Sequence, residues 1–416
     1  MLSLERIGLC IHMLLGDLMK KTLFIFTTAA IVLSACSATT TVAPEPTKPV
    51  PATQTPIPTA TSTTVPEEKK QSGQITIVCS NTLSDAETIN AAIEGSQVGD
   101  EIVISGTCII NDSIKLLGDR SYRGTSRTGT ILKQADGANL SGILITDTYL
   151  ENRDWTGTPV FIGHMTLDGN SKMNPGSKTD GIILRSWLSV VDDMLITDMS
   201  QDGIKVAYKS ENGTDLTTGQ VNGRISGNLI DRSGRYGVYV EFHVTDWNLL
   251  DNWIAFSGAD GLHMEDASGW VVERNHIYGV PHNAIYADHL WGSTISDNFI
   301  EGFGETSDAG TWYGIYATIQ AGVASTISNN RIFNFANNGS RNPNSSYRYI
   351  GITLHDTGVV AVTSNTLRGM NIGNETGLYY TAAGNDRGTV ISAFNYVADV
   401  ATYRTVDSAV KLSEGY

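Results

Sequence analysis

Short runs of alternating apolar and polar residues recur through most of this chain, and turns rich in glycine and asparagine separate them. Strict alternation over a few residues predicts β-strands with one buried face. Most of these runs open with a small residue and then an apolar one, as in Gly203-Ile-Lys-Val, at intervals of 22 to 37 residues. The predicted coil starts are Gly181, Gly203, Gly237, Gly261, Ala284, Gly314, Gly351 and Gly377.

A second pattern, apolar-x-x-Asn-x-apolar, follows most of these starts after about 14 to 16 residues. Its asparagines are Asn228, Asn252, Asn275, Asn298, Asn330 and Asn365. Strands and turns that recur at fixed offsets predict a solenoid rather than two globular domains. We expect the asparagines to stack as a ladder, with each amide bonding to its neighbours above and below. Insertions at 209–218, 304–311 and 336–347 are predicted to project from the solenoid.

Composition narrows the possible partners. The 416 residues include 43 Asp plus Glu against 28 Lys plus Arg, a formal net charge of −15. This acidity argues against nucleic acid or an anionic membrane surface as the main partner. The 42 glycines outnumber the 11 prolines, as expected for a chain with many tight turns.

The N-terminal region resembles a bacterial lipoprotein signal. Met19-Lys20-Lys21 precedes an apolar run at 22–32, and Leu33-Ser34-Ala35 leads directly to Cys36. The resemblance implies a signal peptide at 19–35 and lipid on Cys36, which would anchor a secreted protein to the bacterial cell surface. Residues 1–18 are then upstream of the true start. Residues 36–72, rich in Thr and Pro, are predicted to be an extended tether before a folded domain at 73–416.

Two cysteines remain in the predicted domain. Cys79 and Cys108 both lie in apolar, strand-like runs. Outside the cytoplasm we favour a disulfide between them over two free thiols, and no cysteine spacing suggests a metal site.

A family resemblance follows from the repeats and from the first coils. Residues 84–94 predict a short capping helix before Gly99–Gly106 enters the first coil. Ile114–Gly124 and Thr130–Lys133 resemble the early coils of pectate-lyase-like and polygalacturonase-like proteins. Over about residues 74–400 the chain resembles the right-handed parallel β-helix, pectin-lyase-like superfamily of extracellular polysaccharide-active proteins. The resemblance implies an all-β, single-domain right-handed parallel β-helix of about ten coils with an N-terminal capping helix. It also implies a polysaccharide or oligosaccharide partner, although the same architecture serves adhesins.

Alternation predicts which residues face solvent, because neighbours in a strand point to opposite faces. The third residue of each coil start should point outward, as should the fifth. The third positions are Ile183, Lys205, Tyr239, His263, Tyr286, Tyr316, Thr353 and Tyr379. The fifth positions are Arg185, Ala207, Glu241, Glu265, Asp288, Thr318, His355 and Thr381.

The fifth positions include three consecutive carboxylates, Glu241, Glu265 and Asp288. Parallel strands stack about 4.8 Å apart, so adjacent and alternate coils offer separations near those of retaining and inverting glycosidases. We therefore predict a glycoside hydrolase that needs no cofactor, in which these carboxylates share the acid and base roles and His263 tunes them.

The neighbouring positions suggest contacts to a sugar chain. We expect Arg185, Lys205, Tyr239, Tyr286, Tyr316 and His355 to bind substrate on the same face. Trp247, Trp270 and Trp291 follow the strands and are predicted to be stacking platforms at the groove edge.

A second acidic set directly precedes coil starts. Asp180, Asp202 and Asp260 are interpreted mainly as turn formers. The step from Asp180 to Asp202 is similar to that of polygalacturonase-like hydrolases, but Lys178 and Gln201 depart from their pattern, so that activity is not expected.

Two other functions stay open. A polysaccharide lyase or uronate epimerase would use Lys205 or Tyr239 as a base, with Ca²⁺ at Glu241 and Glu265. Only Arg185 and Lys205 are basic on the predicted face, so it carries few positive charges to bind a polyanion. A glycan-binding adhesin without catalysis is the third possibility.

Overall fold

The computed structural model describes residues 73–336 and 340–415. The predicted signal peptide, the lipidated Cys36 and the tether lie outside these residues. The described part forms a parallel β-helix, in which each coil contributes a strand to each of three sheets. It contains no helix that is both long and apolar enough to span a membrane.

The front sheet contains the strands that begin at the predicted coil starts. Every neighbouring pair in it is parallel. Its strands are Ile114–Leu116, Gly142–Thr146, Asp180–Leu184, Ile204–Val206, Val238–Val240, Leu262–Met264, Ile285–Leu290, Thr311–Ile319, Ser346–Leu354, Glu375–Ala382 and Thr402–Val406.

The second and third sheets follow the front sheet within each coil. The second sheet contains Gln74–Val78, Arg120–Gly124, Val160–Gly163, Val190–Asp192, Arg224–Ser226, Asn248–Leu250, Val271–Glu273, Thr294–Ser296, Ala324–Ser328, Val359–Thr363, Gly388–Ala393 and Val410–Ser413. The third contains Thr130–Gln134, Thr166–Asp168, Leu195–Thr197, Leu229–Asp231, Trp253–Ala255, His276–Tyr278, Phe299–Glu301, Arg331–Phe333, Thr366–Arg368 and Tyr396–Ala398. The long strand Glu101–Ile110 pairs with both sheets. Gln220–Val221 and Val244–Thr245 form a separate small pair.

The predicted asparagine ladder is confirmed in the turn between the second and third sheets. Each side-chain amide donates to the side-chain oxygen of the asparagine one coil on, at 2.9 to 3.0 Å. That same oxygen also accepts a backbone N–H from the preceding coil, at 3.0 to 3.1 Å. Asn395 extends the ladder by one coil. The amides therefore replace the backbone bonds that the turn interrupts.

Apolar side chains from all three sheets fill the interior. On the front sheet the inward residues include Ile204, Val238, Leu262 and Ile285, which are fully buried. The N-terminal end is covered by the helix Asp85–Glu94, whose Ile89 and Ile93 are buried. The predicted capping helix and the predicted Cys79–Cys108 disulfide are both present.

One part of the predicted register is wrong. Gly351 was expected to start a coil, but it pairs with Tyr316, and Tyr349 occupies the coil-start position. The outward residues of this coil are therefore Gly351 and Thr353, and His355 lies beyond the strand Ser346–Leu354. The error is two residues, so the inward and outward faces are still assigned correctly.

We expect Asn275→Ala to lower the free energy of unfolding by about 3 kcal/mol, because an unpaired buried polar group costs about 1 to 3 kcal/mol. The substitution removes the acceptor of Asn252 and the donor to Leu249 and Asn298. Urea denaturation would measure the loss. Asn344→Ala, at an exposed position, is the control and should change stability little. Equal losses in the free energy of unfolding for the two variants would contradict a stabilising role for the ladder.

Candidate active site

The N-terminal part of the front face is covered by other parts of the chain. The covering layer, which we call the wall, consists of the helix Asp147–Leu150, residues 151–157 and residues 208–218. Beneath it Ile145, Tyr149, Ile183 and Ala207 form a small buried cluster separate from the main core. The outward positions of these first coils are therefore closed to solvent.

Arg185 lies beneath the wall and bonds to it, so its predicted contact with substrate is wrong. The side chain is 0% exposed. Its guanidinium donates to the carbonyls of Tyr208, Thr148 and Thr214 at 2.9 to 3.0 Å, and also to that of Arg153. Arg185 thus joins the two segments of the wall.

A cleft of about 360 Å³ opens where the wall ends. Its sides come from the wall, from two front-sheet strands and from the turn after them. The lining residues are Tyr208, Lys209, Asp215, Tyr239, Glu241, Phe242, His243 and Glu265. Two of the three predicted catalytic carboxylates, Glu241 and Glu265, are thus brought together in one cavity.

Glu241 is held by strong donors. Its Oε1 lies 2.6 Å from Nζ of Lys205, and its Oε2 accepts the backbone N–H groups of Tyr208 and Lys209 at 2.8 Å. Three donors hold this carboxylate in place. Burial lowers the pKa of Lys205, but the charge and hydrogen bond of Glu241, together with Tyr149 and Asp180, outweigh burial, so the pKa of Lys205 is raised. Glu241 is therefore firmly positioned, and Lys205 is unsuited to act as a base.

Glu265 is less constrained. The hydroxyl of Tyr239 donates to its Oε1 at 2.7 Å, and within the described residues its Oε2 has no hydrogen-bond partner. Burial and this hydrogen bond raise the pKa of Tyr239. Tyr239 therefore acts as a donor that fixes Glu265, and it is a poor candidate for the base of a lyase.

Asp288 stands on the next coil outside the cleft. Its Oδ1 accepts the backbone N–H of His289 at 2.9 Å and the hydroxyl of Thr318. The strand is irregular here, because the pairing shifts between Ala287 and Leu290. Asp288 therefore bonds to its own coil and to the next one, and it does not line the cleft.

His263 forms a dyad with Asp260 that was not predicted. Its Nδ1 lies 2.6 Å from Oδ2 of the buried Asp260, whose Oδ1 accepts two N–H groups of Asn283. A proton on Nδ1 would be shared with this carboxylate, and Nε2 is the ring nitrogen that Asp260 leaves free. Asp260 is more than a turn former, and its three-residue spacing from His263 was the available signal.

Two of the predicted tyrosines, Tyr286 and Tyr316, form a series of rings with His263 and with Tyr236, which was not predicted. The imidazole lies between Tyr236 and Tyr286, with ring centroids 4.3 and 4.6 Å away and planes within 11° of parallel. Tyr316 continues the series 5.4 Å from Tyr286. Because the rings cover one another's faces, a glycan would meet mainly their edges and hydroxyl groups. Burial raises the pKa of Tyr286 to about 12, so its hydroxyl remains a donor at neutral pH.

The prediction for two of the tryptophans is wrong. Trp247 and Trp270 are fully buried and stack in the core with centroids 6.1 Å apart. Trp291 is 46% exposed, as a platform requires. Nδ1 of His355 lies 3.7 Å from Oδ2 of Asp386, and His355 does not line the cleft. Its predicted place in the fifth column came from the two-residue error in register.

The sequence analysis missed an aromatic platform at the cleft. Phe242 is 42% exposed. The centroid of its ring lies 4.0 Å from that of His243 and 5.6 Å from that of His289. His243 and His289 both have positive φ, which turns the chain after the strand. An exposed ring supported from two sides can stack on a sugar.

The remaining predicted turn formers make a buried ionic group beside the cleft. Asp202 accepts two hydrogen bonds from Arg235, and its own backbone N–H donates to Asp180. Burial, and next the charge of Asp202, raise the pKa of Asp180 well above its ordinary value. Arg235 also covers the rings of Tyr236 and Tyr239 at 4.6 Å.

The carboxylates do not form a metal-binding cluster in the described part of the chain. No group of three or more His, Cys, Asp or Glu residues there is arranged to hold a metal ion. Glu241, one of the two residues proposed for Ca²⁺, is already bonded to Lys205.

Comparisons with known proteins support the fold. Residues 216–397 match the family described as the right handed beta helix region. Bacteriophage phi29 gene product 12 is 15% identical with a TM-score of 0.54, over 79% of this chain and 49% of that one. The gp42 tailspike of Acinetobacter phage vb_AbaP_AS12 is 12% identical with a TM-score of 0.52, over 80% and 62%. The A-module of the Azotobacter vinelandii mannuronan C-5 epimerase AlgE4 is 16% identical with a TM-score of 0.46, over 79% and 95%.

The family match and the two phage proteins with TM-scores above 0.5 support the architecture. At such low identity they show a shared fold alone, the right-handed parallel β-helix that the family resemblance implied. No curated protein sequence is significantly similar to the chain.

We expect Asp180→Asn to stabilise the protein at pH 7. The raised pKa means that the folded state binds a proton that the unfolded chain has lost, so stability falls as pH rises from the ordinary aspartate pKa to the folded one. The amide keeps the acceptor for Asp202 and removes this dependence. Urea denaturation at pH 4 and pH 7 should show a gain at pH 7 that shrinks toward pH 4. Asp112→Asn, at an exposed position, should show no such gain, and a gain independent of pH at Asp180 would contradict the mechanism.

Proposed function

We propose that the protein is a glycoside hydrolase that cleaves a glycan bound along the front sheet. The observation that carries the proposal is that Glu241 and Glu265, from successive coils, line one cleft in different hydrogen-bonding environments. Paired carboxylates with distinct roles are what glycosidic bond cleavage requires.

The two environments suggest two roles. Glu265 protonates the glycosidic oxygen as the bond from that oxygen to the anomeric carbon breaks. Glu241, held in place by Lys205 and two backbone N–H groups, attacks the anomeric carbon and forms a glycosyl ester. Water then gives a proton to Glu265 and its hydroxyl to the anomeric carbon, which releases Glu241. The coil spacing of about 4.8 Å favours this retaining course over the inverting one.

The charge of the face suggests a neutral or weakly charged glycan. Lys205 is paired with Glu241, Arg235 with Asp202, and the cleft-lining Lys209 lies 3.7 Å from Asp215. Each of these three cations near the cleft already has a carboxylate partner in the protein. Tyrosine hydroxyl groups beyond the cleft offer hydrogen bonds to sugar hydroxyl groups.

We also propose that the protein is secreted and anchored to the cell surface. Lipid on Cys36 would anchor the secreted protein to the bacterial surface, with 37–72 as the tether. An enzyme held in this way would act on glycans outside the cell.

The second candidate function is a lyase or epimerase, and the dyad of His263 and Asp260 favours it. An imidazole with a fixed Nδ1 proton can remove a proton from carbon through Nε2. His263 replaces Lys205 and Tyr239 as the candidate base, since the pKa of each of those two is raised. Products with ultraviolet absorbance from a new double bond would select a lyase, and glycan binding without any product would select an adhesin.

Substitution of the two carboxylates tests the hydrolase. Purified protein would be incubated with a panel of polysaccharides, and reducing ends and unsaturated products would be measured. On the cleaved glycan, Glu265→Gln and Glu241→Gln should each lower kcat by about 10²- to 10⁴-fold, the usual contribution of such groups. Glu87→Gln on the capping helix is the control. Full activity in both cleft variants would exclude this site.

Phe242→Ala tests the platform. Loss of ring stacking, worth about 0.5 to 1.5 kcal/mol, should raise KM roughly 2- to 10-fold with little change in kcat. Phe242→Tyr should preserve KM, and Phe256→Ala, an exposed ring on the third sheet, should leave it unchanged. A fall in kcat alone would indicate that Phe242 only supports the neighbouring turn.

A further inference from the structure

The outward face of the front sheet changes from closed to open along the helix axis. In the third column Ile183 is fully buried, whereas Tyr239, His263, Tyr286 and Tyr316 are partly exposed. In the fifth column Arg185 and Ala207 are buried, and Glu241, Glu265 and Asp288 are partly exposed. The groove therefore has a closed N-terminal end and continues toward the C-terminal coils.

The closed end is firmly built. Glu211 donates its backbone N–H to Tyr149, and Thr217 donates its own to Asp154, at 3.2 and 2.7 Å. The hydroxyl of Tyr208 donates to Leu216 at 2.7 Å. These bonds hold the wall together, and the buried Arg185 bonds both of its segments to the coil beneath them.

The catalytic pair lies directly against this wall. The backbone N–H groups that bind Glu241 belong to Tyr208 and Lys209, which are the first residues of the insertion. Lys209 and Asp215, which belong to the wall, line the cleft together with Glu265. A sugar chain lying along the groove can therefore extend from the carboxylates in one direction only.

On the basis of the proposed hydrolase, we infer that the enzyme is exo-acting: it takes one end of a glycan into the cleft and releases a short saccharide from that end. The rest of the glycan lies along the hydroxyl groups of Tyr286 and Tyr316 toward the C-terminal coils. An endo-acting enzyme needs a groove open at both ends, because its substrate must continue past the scissile bond on both sides.

End-capped oligosaccharides test this inference. A glycan that the protein cleaves would be prepared with a bulky fluorescent cap on the reducing end, on the non-reducing end, or on neither. Chromatography would follow the products over time. We expect short saccharides from the first time point, a slowly shortening remainder, and complete loss of release with one cap and not with the other.

The outcomes separate the two proposals. A broad ladder of intermediate lengths at early times, or cleavage that neither cap prevents, would overturn exo action and leave the hydrolase intact. No cleavage of any glycan would overturn the hydrolase and the inference with it.

Shortening the wall gives an independent test. Residues 211–213 form a turn whose ends lie close together, since the N–H of Ser210 bonds to the carbonyl of Thr214 at 2.9 Å, and this turn would be removed. Opening the closed end in this way should add mid-chain products to the short ones. Removal of the exposed residues 307–309 from another insertion is the matched control, and it should leave the product pattern unchanged. If the shortened wall still gives only short products, the wall is not the block and the inference is wrong.

Discussion

Parallel pairing between successive coils is the constraint on which the rest of the structure depends. Each front-sheet strand is held in register with the next, so a residue at one position of a coil lies beside the equivalent residue of its neighbours. Inward columns become the core, the turn asparagines become a ladder, and outward columns become lines of chemistry along the axis. Glu241 and Glu265 meet in one cleft only because this register places them on adjacent coils.

The columns alone do not make a site. Glu241, Glu265 and Asp288 occupy equivalent positions, but their partners differ. Glu241 is bound by Lys205 and backbone N–H groups, Glu265 by Tyr239, and Asp288 by His289 and Thr318. The differences come from insertions and turns, which break the repeat where the cleft forms. The wall at 208–218 supplies two donors to Glu241, closes one end of the groove and provides part of the cleft lining. The repeat thus sets where the carboxylates lie, and the insertions and turns that interrupt it set their hydrogen-bond partners.

The sequence predicted the repetitive part of this arrangement well. The ladder from Asn228 to Asn365, the disulfide and the outward columns from Lys205 to Tyr316 all follow from periodicity and side-chain chemistry. The error at Gly351 shows the limit of that reasoning, because a slip of two residues keeps inward residues inward and leaves the alternation unchanged. Arg185, Trp247 and Trp270 were misplaced for another reason. Alternation and turn position indicate a direction, but they do not reveal which distant segment or neighbouring coil will cover the side chain.

A glycan bound across Glu241 and Glu265 with one end against the wall can be observed directly. The measurement is a crystal structure of the Glu265→Gln variant soaked with an oligosaccharide of the glycan that the protein acts on. We expect a terminal sugar between positions 241 and 265 and beside Lys209 and Asp215, with the chain continuing past Tyr286 toward Tyr316. A chain bound to another sheet, or one that passes over the wall at both ends of the cleft, would contradict it.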